Sequence, residues 1–378
     1  MYCADSRFKI AVYGAHGSIG DEVMALRVLF SIKFLYPNSH LTFLANSSMP
    51  FSLFKNIQFI DRIFNVQKDS TAFLEEFDVL LFVFKHDMED RIQIARKFKV
   101  TKTLMLFSQY LLKIKGFSYL FDSAYTRGGE IIRIINPYWK QDKNRVILGA
   151  LRLVRALNKK HYDKNIQKFP LSKAKIITSS ENKVFVDLKM QRLGANSYDK
   201  IIGISPFGKS ASRGNANFSI EEWVEITKFL AKKYQNYFFV LMNYEGNPIE
   251  IEGLSEINSG IFVNNKDLLN LVELIGRLDL LLSVDTSNVH IADNLQIPTL
   301  EIIRQSEAKK WGGGSYGGVC EQIILPKEWK SNSQYYQNLF IQKSQELLEN
   351  HSMIYEEALM KSHKIELKSS NKCYNAKF

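Results

Sequence analysis

The sequence predicts an α/β protein made of two similar halves, each a parallel sheet with helices on both faces. Three observations lead there. Short apolar strands alternate with helical segments from Phe8 to Phe107 and again from Lys200 to Leu300, the pattern of strands joined by crossover helices. The alternation stops between Gly116 and about Lys175, which separates the halves. The chain has 378 residues, 46% hydrophobic and 24% charged, so it is long enough for two or three domains with their own cores.

In the first half, Phe8 to Tyr13 reads as a strand that enters the loop Gly14-Ala15-His16-Gly17-Ser18-Ile19-Gly20-Asp21. A helix is expected over Glu22 to Leu35, with Val23, Leu26, Leu29, Phe30 and Phe34 on one face, ended by Pro37. Strands follow at His40 to Ala45, around Asp61 to Phe64, at Phe77 to Phe84 and at Lys102 to Phe107, with a helix over Arg91 to Phe98. Residues 116–175 are basic and aromatic, and within them Arg145 to Leu157 has the leucine stripe of an amphipathic helix.

The second half opens with the strand Lys200 to Ser205 and the loop PFGKSASRGNANF. Ser219 is a good N-cap for a helix from Ile220 to Tyr234, with Glu221 and Glu222 in its first turn. Phe238 to Met242 and Leu280 to Val284 read as strands, Leu268 to Arg277 as a helix. A long helix is expected from about Ser333, followed by a Lys/Ser/Asn-rich tail of disordered composition. The expected division is 1–175, 176–335 and a C-terminal part, 336–378.

Composition excludes several classes. No apolar run approaches the roughly 20 residues that span a bilayer, and the start MYCADSRFKIAVYGAHG lacks the layout of a secretory signal. Cys3, Cys320 and Cys373 have no metal-ligand or CxxC spacing, which fits a reducing cytoplasm. The net charge of +11 is unevenly placed. Residues 1–175 carry 28 Lys and Arg against 15 Asp and Glu, a net +13, and the remainder is −2. That asymmetry points to an anionic partner for the first half, or to a solvated basic face.

Four stretches can carry chemistry. The first is the Gly14–Asp21 loop, whose glycines allow close approach to a ligand. Its spacing is not that of a dinucleotide fingerprint. Asp21 reads either as the dipole partner of the helix or as a general base; His16 reads as a turn residue. The second is the loop after Ser205, where Lys209 and Arg213 suit a diphosphate. The third is Asp285-Thr286-Ser287-Asn288-Val289-His290, between a buried strand and a short helix, at the sheet edge where phosphates bind. Thr286, Ser287 and Asn288 are also ordinary capping types. The fourth, Trp311 to Gly318, has five glycines in eight residues and reads as a flexible loop or a connector. No DxD triplet or metal-spaced His, Cys and carboxylate cluster appears, so no metal is expected.

Taken in order, these residues resemble the heptosyltransferase family, glycosyltransferase family 9. The resemblance rests on Gly17-Ser18-Ile19-Gly20-Asp21 with Ala25-Leu26-Arg27, and on Tyr36-Pro37 with the strand after it. It continues through Ser205-Pro206-Phe207-Gly208 with Trp223, Asp285 to His290 with Ala292 to Leu300, and Lys310-Trp311-Gly312 to Gly317. It spans roughly residues 8–325 and implies the GT-B fold, two Rossmann-like domains facing across a cleft, with C-terminal helices. It implies an inverting, metal-independent transfer of a sugar, typically heptose from ADP-heptose, in lipopolysaccharide core assembly. Carried over residue by residue, Asp21 becomes the base, with His16, Gly17, Ser18 and Gly20 in its loop. Ser205, Asp285, Thr286, Ser287, Asn288 and His290 become donor contacts. Where the family has a lysine, this chain has Ala216, so Lys209 or Arg213 takes that part; Ser287 stands where the family has glycine.

The implied partners are a nucleotide-sugar, as substrate with no cofactor, and an acidic glycolipid acceptor of the lipid A–Kdo or core-oligosaccharide kind. Such an acceptor suits the +13 half, and the implied location is cytoplasmic, peripheral on the inner membrane. No nucleic-acid module is present. Two alternatives stay open: a GT-B transferase with another nucleotide-sugar or a capsular or protein acceptor, and a catalytically silent scaffold with a basic surface.

Overall fold

The computed structural model describes residues 2–3, 5–14, 18–45, 49–83, 88–107, 125–126, 129–135, 145–208, 211, 216–246, 248 and 251–350. Between Ala174 and Lys175 the chain divides into two compact units.

The first unit contains a seven-stranded sheet. Its strands are β1 (Lys9–Tyr13), β2 (His40–Ala45), β3 (Arg62–Asn65), β4 (Glu76–Phe82), β5 (Lys99–Phe107), β6 (Tyr125–Thr126) and β7 (Gly129–Ile135). Their order is β3-β2-β1-β4-β5-β7-β6, parallel throughout except for β6 against β7. The apolar runs of β1 and β4 are buried on both faces, as a sheet covered by helices requires. The helix Ile19–Leu35 starts three residues before the expected Glu22, because Ser18 caps it by accepting the Asp21 N–H at 3.2 Å.

The helix Arg145–Leu157 forms where its leucine stripe placed it. Ile147, Ala150, Leu151, Leu153, Val154 and Leu157 are buried, and the helix packs on Ile19–Leu35 and β5. The strand–helix alternation of the sequence stops over 116–175, yet β7 extends the sheet beside β5. Glu130 and Arg133 interrupt its apolar run, and pairing with β5 stabilises it where local pattern does not.

The second unit contains a six-stranded sheet of β8 (Lys200–Ser205), β9 (Tyr237–Tyr244), β10 (Ser259–Asn264), β11 (Leu280–Val284), β12 (Thr299–Arg304) and β13 (Cys320–Leu325). Every pairing is parallel, in the order β10-β9-β8-β11-β12-β13. Counted within the unit this is 3-2-1-4-5-6, the doubly wound dinucleotide-fold order, with its reversal between β8 and β11. Ser219 forms a full capping box with Glu222 at the start of the helix Ile220–Lys233. That helix buries Trp223 edge-on against Phe218 and Phe340.

Phe340, Leu347 and Leu348 bring the helix Ser333–Glu349 into the same core, so it is part of the second unit rather than a separate segment. The tail after residue 350 lies outside the described residues. Among the described residues no helix is long and apolar enough to cross a membrane.

Candidate functional site

Where the order of a doubly wound sheet reverses, the connections leaving two neighbouring strands diverge and open a crevice at their carboxyl ends. In the second unit those strands end at Ser205 and Val284. Two contacts join the loops that follow. Asn288 Nδ2 donates to Ser205 Oγ at 2.9 Å and lies 3.6 Å from Met242 Sδ of β9. A Cβ on Gly208 would stand 2.7 Å from the Asp285 carbonyl oxygen and 3.2 Å from Thr286 Cβ, so the loops meet this closely only because residue 208 is glycine.

Thr286 precedes the helix Ser287–Leu295 in an extended conformation, and its side chain makes no capping bond. Asn288 is turned to Ser205 instead. The ordinary capping role open to these residue types is thus not the one they play. The helix start faces the crevice without a side-chain cap, and its partial positive charge favours an anion.

Asp285 is half-buried at this edge. Burial, and then the negative charge of Glu307, push its carboxyl up to about 6, while Arg304 pulls the other way. His290, one helical turn on, is only 5% exposed, and its Nδ1 has no hydrogen-bond partner. Burial pushes it down to about 4, so it is neutral at pH 7. The structure therefore places Ser205, Asp285, Thr286, Ser287 and Asn288 together at the edge, with His290 buried behind them. Lys209 and Arg213 lie outside the described residues.

In the first unit the reversal falls between β1 and β4, and β1 ends there at Tyr13. Asp21 is the third residue of the helix; its Oδ2 accepts the Ser18 hydroxyl at 2.8 Å. Gly20 is buried, and Asp21 is half-buried. His16 and Gly17 lie outside the described residues.

Two acids escaped the sequence reading. Glu22 is fully buried, and neither carboxyl oxygen has a hydrogen-bond partner. Burial, and then the charge of Asp21, push it up to about 8. Its spacing to Leu26 and Leu29 put it on the buried stripe, which was the available signal. Glu301, in the middle of β12, is also fully buried; an acid inside the apolar run TLEIIR was the corresponding signal.

The glycine-rich stretch is not a loose cover. The Asp293 carboxylate, 2% exposed, accepts the Ser315 hydroxyl at 2.9 Å, the Tyr316 N–H at 2.9 Å and the Gly318 N–H at 3.1 Å. Gly314 and Gly317 take positive φ to let the chain fold around it. Among the described residues no group of three or more His, Cys, Asp or Glu is placed to hold a metal ion.

No protein-family model matches the sequence, and no curated protein does. Solved structures do match in fold. A glycosyltransferase of family 9 from Veillonella parvula superposes with a TM-score of 0.64 at 13% identity, over 93% of this chain and 98% of that one. The Escherichia coli ADP-heptose lipopolysaccharide heptosyltransferase II gives 0.56 at 12% identity, over 89% and 99%. The E. coli heptosyltransferase WaaC with ADP gives 0.54 at 10%, over 87% and 99%. Through almost its whole length, this chain has the two-unit fold of glycosyltransferase family 9 and the heptosyltransferases.

Proposed function

We propose that the protein is a glycosyltransferase that moves a sugar from a nucleoside diphosphate onto an acidic glycolipid of lipopolysaccharide or lipooligosaccharide assembly, with inversion and without a metal. The observation that carries this reading is the uncapped start of the helix Ser287–Leu295 at the strand-order reversal, tied to β8 through Asn288 and Ser205. That geometry suits a diphosphate, and the fold is that of proteins whose own substrates and ligands include ADP-heptose and ADP. ADP-heptose is accordingly the first donor to test. The net +13 of residues 1–175 favours the acidic acceptor, and the reaction belongs at the cytoplasmic face of the inner membrane.

In this mechanism the acceptor hydroxyl attacks the anomeric carbon while the bond from that carbon to the diphosphate oxygen breaks. Asp21 takes the hydroxyl proton; its carboxylate is oriented by the Ser18 hydroxyl. The helix start at Thr286 to Asn288 stabilises the charge that develops on the departing diphosphate, with Lys209 or Arg213 as the cation. The test is nucleoside-diphosphate release by purified protein supplied with ADP-heptose and acceptor. Asp21→Ala is expected to lower turnover at least about a hundredfold and to leave ADP affinity within about threefold, since Asp21 lies in the other unit from the turn. Turnover near the wild-type rate in that variant removes Asp21 as the base.

A further inference from the structure

Phe30 and Phe34, one turn apart on the helix Ile19–Leu35, are only half-buried. Two other segments of the first unit bring rings to them. The Phe59 ring, ahead of β3, has its centroid 5.0 Å from that of Phe30. Phe169 lies 5.0 Å from Phe30 and 5.5 Å from Phe34. Phe59 and Phe169 are half-buried as well, so the four rings form one aromatic patch that reaches solvent. Ile166, Pro170 and Leu171, on either side of Phe169, are also half-buried.

The segment that delivers Phe169 is fixed to the unit. Asn158 caps the helix Lys159–Asn165 by accepting the His161 N–H at 3.0 Å, and His161 Nε2 lies 2.8 Å from the Leu35 carbonyl oxygen. From Lys159 to Lys175 the chain has six lysines against one acid, Asp163. That acid is taken: Arg155 donates to both its oxygens, at 2.6 and 2.8 Å, and Lys159 stands 3.2 Å away. Asp61, two residues past Phe59, is paired with Lys33 at 3.0 Å. Lys160, Lys164, Lys168 and Lys173 are exposed, and among the described residues they form no ion pair.

Half-exposed rings and unpaired lysines match the two parts of a bilayer surface. Apolar side chains enter the boundary between headgroups and acyl chains, and ammonium groups meet anionic headgroups. Nucleic acid is the other polyanion that lysines attract, but with aromatic residues it uses open ring faces on which bases stack. Here the rings pack on one another, tilted by 54° or edge-on at 82°. We propose that the aromatic cluster around Phe169, with the lysines of residues 160–173, is the surface by which the first unit docks on an anionic phospholipid bilayer. The proposal deepens the glycolipid reading above and rests on it for a bilayer next to the acceptor. Phe30 stands about 14 Å along the helix axis from Asp21. Docking at the patch therefore holds Asp21 off the headgroups, where a sugar of the glycolipid, and not its lipid, meets it.

The test is co-sedimentation of the full chain with vesicles. Binding to phosphatidylethanolamine–phosphatidylglycerol vesicles should exceed binding to phosphatidylcholine vesicles and should fall as salt rises. The triple variant Lys164→Gln, Lys168→Gln, Lys173→Gln should lose on the order of a hundredfold in affinity for the anionic vesicles, roughly fivefold for each lysine. It should melt with the wild type and keep its ADP affinity, since these side chains are exposed and unpaired. Phe169→Trp should add an indole fluorescence that lipids brominated on their acyl chains quench. Equal binding to both kinds of vesicle overturns the proposal, as does undiminished binding in the folded triple variant or an added indole that the brominated lipids leave unquenched. Single-stranded RNA bound more tightly than vesicles, and released by the same three substitutions, assigns the surface to nucleic acid and overturns it too. Sugar transfer to a detergent-dispersed acceptor without vesicle binding removes this surface and leaves the proposed function. Vesicle binding that responds as expected, with no transfer from any nucleotide-sugar, removes that function and leaves the surface.

Discussion

Asn288 and Ser205, 83 residues apart in the chain, share a 2.9 Å hydrogen bond that ties the turn after β11 to the end of β8. The bond crosses the point at which the sheet reverses its strand order. It does two things at once: it gives a buried serine hydroxyl its partner, and it holds the first turn of the helix Ser287–Leu295 against the end of β8. At that end Thr286 makes no side-chain cap, so the helix start keeps the partial positive charge that favours an anion.

Removing the bond separates these two consequences. In Asn288→Ala the Ser205 hydroxyl, 2% exposed, loses its partner. The expected loss of stability is about 1 kcal/mol, a fall of a few degrees in the melting temperature of the second unit. Affinity for ADP should fall further than stability, by roughly tenfold or about 1.4 kcal/mol, because the loops that frame the helix start are no longer held together. Calorimetric titration and thermal melting on one preparation check both numbers. Unchanged ADP affinity in a folded variant would show that the bridge does not frame the site.

Much of this was legible in the sequence, and the divide follows the range of the interactions. β8 and β11 were readable because a strand covered on both faces must be apolar throughout, and both ended at the expected residues. The Ser219 cap was readable because a capping box is complete within four residues. The pairing of Asn288 with Ser205 was not, since both residues have good local roles and only the sheet order brings them together. β7 was missed for the same reason: its strand character comes from β5, not from its own alternation. Glu22 and Glu301 are the instructive omissions. Each carries the wrong polarity for its place in the pattern, and an acid at an apolar position was the visible sign.

The glycine-rich turn supplies the next prediction. Glycine content alone suggested mobility, but Asp293 binds two backbone N–H groups and a hydroxyl of that turn from a buried position. Asp293→Ala should lower the stability of the second unit by on the order of 3 kcal/mol, the cost of leaving several buried donors without a charged acceptor. Amide exchange at Tyr316 and Gly318 should quicken well before exchange in β11 or β12. Exchange at those two amides that stays as slow as in the wild type would mean that packing of Tyr316, and not the carboxylate, fixes the turn.

Glu22 leads to a prediction about pH that does not depend on any ligand. Its carboxyl titrates near 8 in the folded chain, against an ordinary value of 4.5. The folded state therefore holds a proton that the unfolded state gives up between those two values. The contribution of Glu22 to stability is most favourable below about pH 4.5 and is lost as the pH rises through about 8, with a slope approaching about 1.4 kcal/mol per pH unit. Glu22→Gln removes the titration and keeps the shape. It should melt close to the wild type at pH 5 and clearly above it at pH 8, with the gap widening steadily between them. Because Asp21 contributes to the shift, Asp21→Asn should narrow that gap, burial remaining the larger cause. A constant gap from pH 5 to pH 8 would mean that Glu22 is ionised in the folded chain, with a counter-charge close to it.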